Sequence, residues 1–213
     1  NSLITNNSSG DMAFRDNADA GRRNITNNGQ IDFYDQSSAG QGLIVNNESG
    51  NINFYGSSTT NSSDLNNSGS LVLSDHSSAS QSSIVNNETG TIRLDGSATA
   101  GSANINNSGT IAFSDESSAG SVRLFNNEKS SISFDNKSNA GSSFIINAGD
   151  LAFSGTSSAG SSSILISGGG TARFIGQSTG GTSDIHIDQN GSLDASRLDN
   201  QQLSIGSLVS AGN

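Results

Sequence analysis

One large apolar residue returns along this chain at intervals that alternate without exception between 19 and 21: Phe14, Phe33, Phe54, Leu73, Leu94, Phe113, Phe134, Phe153 and Phe174. Few folds admit such a rule. A unit of about 20 residues that cannot bury its own apolar face must stack on its neighbours, which makes the chain a solenoid or an array. Two residues ahead of each member stands Met12, Ile31, Ile52, Leu71, Ile92, Ile111, Ile132, Leu151 or Ala172. Apolar residues at i and i+2 mark a strand with one face buried, and the 3.6-residue spacing of a helix is missing.

A second column precedes the first: Ile4, Ile25, Ile44, Leu65, Ile84, Ile105, Leu124, Ile145, Ile164 and Ile185. Two places beyond it the residue is Asn6, Asn27, Asn46, Asn67, Asn86, Asn107, Asn126 and Asn147. Alternation places each of these asparagines on the face that carries the aliphatic residue. An unpaired buried amide costs about 1–3 kcal/mol, whereas a satisfied hydrogen bond contributes about 0.5–1.5 kcal/mol. In a stack of like coils each amide can donate to one neighbour and accept from the other, forming an Asn ladder. Such a ladder works only when nearly every coil carries it, and eight consecutive coils do. The recurring Asn-Asn doublet obscures this register, since its first residue fills the column in one coil and its second in another.

A third column is small. Ala20, Ala39, Thr60, Ala79, Ala100, Ala119, Ala140 and Ala159 are followed by Gly21, Gly40, Asn61, Ser80, Gly101, Gly120, Gly141 and Gly160, which suits a corner of positive φ or close chain approach. Three short strands per coil predict an all-β parallel β-solenoid with coils of alternately 19 and 21 residues, stacked ~4.8 Å apart. The handedness of parallel crossovers predicts right-handed winding. The two extra residues of alternate coils lie between the aliphatic column and a glycine, as "IVNNESG" (44–50) beside "LNNSG" (65–69) shows. Glu48, Glu88 and Glu128 then line one edge. Residues 1–183 form the repetitive solenoid, and at 184–213 the pattern changes to terminal or transition coils.

Only 31% of the residues are hydrophobic, a level that would suggest disorder were it not for the columns. A net charge of −10 with 9 Lys and Arg argues against nucleic acid or anionic membrane as a partner. The absence of Cys excludes disulfides and thiolate sites. No apolar run approaches the ~20 residues of a spanning helix, so no membrane insertion is expected of this segment. Its strand-like ends are those expected of a piece of a longer protein.

No cofactor or metal site is expected. Asp16, Asp35, Asp75 and Asp115 follow the Phe column and suit turn residues bonded to local backbone rather than the converging carboxylates of acid–base catalysis. His76 and His186 lie far apart in outward contexts with no second ligand beside either. "SGGGTA" (167–172) precedes no helix that would aid phosphate binding, which leaves a tight corner. An outward row of Ser38, Thr59, Ser78, Thr99, Ser118, Ser158 and Thr179 has the regularity of an ice-binding face, but its flank of Gln36, Ser57, His76, Ser97, Glu116, Lys137 and Thr156 is irregular and partly charged. Tyr34 and Tyr55 are the only outward rings expected.

Units such as "ANINNSGTIAFSDESSAG" (103–120), together with "GSLDASRLDNQQLSIGSLVSAGN" (191–213), resemble the passenger regions of Gram-negative autotransporters of the type V secretion class. The resemblance implies a right-handed β-helix exported through a C-terminal outer-membrane barrel and displayed at the cell surface. The expected function is a non-enzymatic extracellular adhesin or self-association rod. Its partners would be further copies or a receptor or glycan on a host or neighbouring cell. The alternative is a carbohydrate-active or carbohydrate-binding β-helix; ice binding or a pure spacer stalk ranks lower.

Overall fold

The computed structural model describes residues 2–211; Asn1, Gly212 and Asn213, at the outer ends of the two expected segments, lie outside the described residues. Within them are 21 strands, nearly all of four residues, and no helix. They form two parallel sheets. Sheet 1 has eleven strands, from Leu3–Asn6 to Ser207–Ser210, and sheet 2 has ten, from Asp11–Phe14 to Ser192–Leu198. Each strand pairs with its counterpart one coil before and one coil after, so the chain is a parallel β-solenoid. The register follows the columns: Ile105 pairs with Ile84 and Leu124, and Phe113 with Leu94 and Phe134. Neighbouring coils differ alternately by 19 and 21 residues because the corner from sheet 1 to sheet 2 spans 47–50 in one coil and only 68–69 in the next.

The third side departs from expectation. In place of a third strand it carries a row of single-residue parallel bridges running Asp19, Ser38, Thr59, Ser78, Thr99, Ser118, Asn139, Ser158 and Thr179. The reason lies in the two corners that bound it. The position two residues after the Phe column is left-handed in every coil, with φ of 56–68° at Asp16, Asp35, Gly56, Asp75, Gly96, Asp115, Asn136, Gly155 and Gly176. Five residues later a second left-handed position follows, at Gly21, Gly40, Asn61, Ser80 and their successors. Too little extended chain remains between them for a ladder. Left-handed φ is cheap for Gly and tolerable for Asp and Asn, which explains why these types interchange after the Phe column.

The interior is layered by the same columns. Phe33 and Phe54 stack with ring centroids 4.5 Å apart, as do Phe113 and Phe134, and Phe134, Phe153 and Phe174 continue at 4.8 Å. These rings are fully buried; burying each contributes about 1.5–3 kcal/mol. The coil spacing fixes the stack at nearly parallel planes. Small inward residues on the third side let the chain close: Ala20, Ala39, Ala119 and Ser117 are all buried. Near the end the pattern loosens. Thr171–Gly176 pairs with the longer Ser192–Leu198 through a register shift between Arg173 and Ile175, and buried Ile166 stands where earlier coils carry the ladder asparagine.

Candidate functional site

The inward asparagines bond to one another along the rod. Nδ2 of each donates to Oδ1 of the next: Asn6 to Asn27, Asn27 to Asn46, Asn46 to Asn67, Asn67 to Asn86, Asn86 to Asn107 and Asn107 to Asn126 at 2.8 Å, and Asn126 to Asn147 at 2.7 Å. The same Nδ2 also reaches backbone carbonyls of the corner, as Asn107 does to Gly109 and Ser131 at 3.2 Å. Donation always runs toward the C-terminal coil. At Asn147 the next side chain is Ile166, and Nδ2 ends instead on the carbonyls of Gly149 and Thr171. The corner glycines belong to this arrangement: a Cβ on Gly69 would lie 2.2 Å from the Gly50 carbonyl oxygen. These eight residues are structural. They face the interior and offer nothing to a partner.

The second asparagine of the doublet has its own use. On the rim of the long corner, Asn87 Nδ2 donates backward to Asn66 Oδ1 at 2.6 Å and Ser68 Oγ at 2.8 Å. Asn127 does the same to Asn106 at 2.7 Å and Ser108 at 3.0 Å. The long corners at 87–90 and 127–130 thus grip the short corners before them.

The acids after the Phe column serve the corners. Asp35 Oδ2 accepts from the Asp16 amide at 3.0 Å, Asp75 Oδ2 from the Gly56 amide at 2.9 Å and Asp115 Oδ2 from the Gly96 amide at 3.2 Å. The outward hydroxyl row is likewise engaged with its own turns. Ser38, Thr59, Ser78, Thr99, Ser118, Ser158 and Thr179 each accept from the amide two residues on, at 2.9–3.1 Å. Glu48, Glu88 and Glu128 are exposed on the long corners, and His76 and His186 are exposed on different sides of the rod.

Two outer patches remain for binding. Just past the strands of sheet 2, Tyr34 and Tyr55 stack at 5.2 Å, with the Arg15 guanidinium 4.3 Å above the Tyr34 ring. Beside them Asp32 is buried and accepts from Gln30 at 2.7 Å, Asn53 at 2.8 Å and the Tyr34 hydroxyl at 3.2 Å. Partial burial, followed by the Asp32 carboxylate, pushes both phenols above their usual range. The arrangement is polar and aromatic, but the rings lie against one another and against Arg15, which limits the flat face open to a ligand.

The other patch is on sheet 1, where sequence reasoning missed two rings. Phe125 and Phe144 point outward, correcting the expectation that Tyr34 and Tyr55 are the only outward rings. Their parity was the available signal, since each adjoins an inward aliphatic residue, Leu124 or Ile145. Along the third position of each strand run Val45, Asn66, Val85, Asn106, Phe125, Ile146, Leu165 and His186 in register. Val85 and Phe144 are 43% and 37% exposed. A shallow groove floored by Asn104 and Asn106 lies between Val85 and Phe125. Arg123 leans over the Phe144 ring, 5.4 Å from its centroid. Comparison with family models, curated proteins and solved structures finds no match for this chain.

Proposed function

We propose that the chain is the non-enzymatic, extracellular rod of a bacterial surface protein of the autotransporter-passenger type, acting as an adhesin or in self-association. The observation that supports this reading is the outer face of sheet 1, continuous over eleven strands, polar for most of its length and apolar around Phe125, Phe144, Ile146 and Leu165. Side chains repeating at ~4.8 Å suit many weak contacts made in register, and such contacts gain avidity when many rods are anchored on one surface.

A second reading, glycan binding, is supported by the cluster of Tyr34, Tyr55, Asp32 and Arg15. One experiment separates the two. Cells displaying residues 1–213 on an unrelated anchor are mixed with undecorated beads, glycan-coated beads and one another. The adhesin reading expects clumping of displaying cells with each other, independent of sugar. Capture on glycan beads alone, abolished by Tyr55→Ala, would transfer the function to the second reading; inert cells would leave a spacer.

A further inference from the structure

We infer that the outer face of sheet 1 between Asn104 and Val209 is a self-complementary docking surface for a second copy of this chain, lying antiparallel. This inference rests on the self-association reading and names its interface.

The outward residues of six consecutive strands are fixed by the register. At the first position they run Asn104, Arg123, Phe144, Ser163, Asp184 and Ser207; at the third they run Asn106, Phe125, Ile146, Leu165, His186 and Val209. The middle of this window is apolar and its charge is displaced to the two flanks. Arg123 lies one coil before Phe144, and Asp184 two coils after it. Among the described residues Arg123 forms no ion pair; its only recorded company is the Phe144 ring. Asp184 accepts one bond, from Ser207 Oγ at 2.6 Å, which leaves its other oxygen facing solvent.

Two such faces can be laid together about a two-fold axis parallel to the strands. That operation keeps first positions opposite first positions and reverses the order of coils. With the axis between the strands Phe144–Asn147 and Ser163–Ile166, Ile146 meets Leu165 of the partner at the centre, twice. Arg123 meets Asp184, Phe125 meets His186, and Val209 meets the groove over Asn106 between Val85 and Phe125, each contact also made twice. An isologous interface requires this self-matching, and one register supplies an apolar centre, two ion pairs and a knob for the groove together. The competing two-fold axis, along the rod, swaps first and third positions within a coil, so Arg123 meets Phe125 and Asp184 meets His186 of the partner and the Arg123–Asp184 pairing is lost. It also runs the two acidic rods together over their whole length. In the 213-residue chain the antiparallel arrangement overlaps six strands and leaves the earlier coils of each copy unopposed, which suits molecules of net charge −10.

The footprint is small, about 24 Å along the rod and about 13 Å across it at ordinary strand dimensions. That is roughly 300 Å² per partner, well below the ~800 Å² of a standard interface, so the free rods associate weakly, with Kd on the order of 0.1–1 mM.

Sedimentation equilibrium of the 213-residue chain tests this with charge reversal. Arg123→Asp and Asp184→Arg, both outward and far from the core, are each expected to weaken association at least about tenfold. An equimolar mixture of the two is expected to recover to within about threefold of the original, because each variant then offers what the other lacks. Ile146→Asp should abolish association without altering the circular dichroism. Single variants that associate as the parent does, a mixture no better than its components, or a strictly monomeric parent at millimolar concentration would each overturn the antiparallel face. Displayed on cells, the same variants keep the two claims apart. Clumping unchanged by charge reversal overturns this interface while the self-association reading stands; absence of clumping by the parent removes that reading itself.

Discussion

At the residue scale, an inward amide is useful only while its neighbours carry one too. Asn107 is fully buried, accepts from Asn86 and donates to Asn126. Replacing it by leucine removes both bonds at once and strands the Asn86 donor and the Asn126 acceptor, though corner carbonyls and the Ser130 hydroxyl relieve part of the loss. Asn107→Leu is therefore expected to cost about 1–3 kcal/mol in urea unfolding despite its more apolar side chain. Ser117 is the contrasting case. Its buried hydroxyl has no hydrogen-bond partner, and the coil before carries Ala98 in the same column. Ser117→Ala should be neutral or stabilising by up to about 1 kcal/mol. If the two substitutions cost the same, the ladder does not stabilise the rod as described. Parity relative to the aliphatic column made these asparagines legible in the sequence. The direction of donation was not legible, since it depends on where the corner carbonyls point. The outward Phe125 and Phe144 are not legible from the columns, because they stand outside them on the opposite parity.

At the scale of the element, the strands are short and uniform, so the corners decide the shape of the coil. Both corners bounding the third side are left-handed, and at Asp35, Asp75 and Asp115 the first is closed by a carboxylate reaching back one coil. Asp75 combines these roles: its φ is 58°, and its Oδ2 accepts from the Gly56 amide at 2.9 Å. Asp75→Ala loses the bond and keeps the conformational penalty, which predicts a loss of about 1–2 kcal/mol. Asp75→Gly loses the bond but relaxes the backbone and should cost clearly less. Equal losses on urea unfolding would argue that strain at this corner is negligible. The glycines after the alanine column announced the second corner. The first was harder to see, because Asp, Asn and Gly interchange there and only a shared positive φ unites them. Without that corner, the small residues between the two read as a strand by their alternation alone. The chain between them has room for a single bridging residue.

At the scale of the whole molecule, the repeating unit is a pair of coils, because long and short corners are not equivalent. Asn87 and Asn127 on long corners bond to groups on the short corners before them, and Asn47 Nδ2 reaches Asn28 Oδ1 at 2.8 Å in the same way. Removing residues 64–103 takes out two coils, 40 residues, and joins Ser63 to Asn104, a residue two coils on in the register of Asp64. Asn107 then lies where Asn67 accepted from Asn46, Phe113 stacks below Phe54, and a short corner again follows a long one. The shortened chain is expected to fold into a rod about 9.6 Å shorter by X-ray scattering. Its urea m-value should fall by about one fifth, in proportion to the surface removed. Removing only residues 64–82 joins Ser63 to Ser83 and sets two long corners against each other, so Asn87 loses its Asn66 and Ser68 partners. That chain should unfold at clearly lower urea than the two-coil deletion, although it retains one coil more. A rod whose stability depended on coil number alone would show the opposite order.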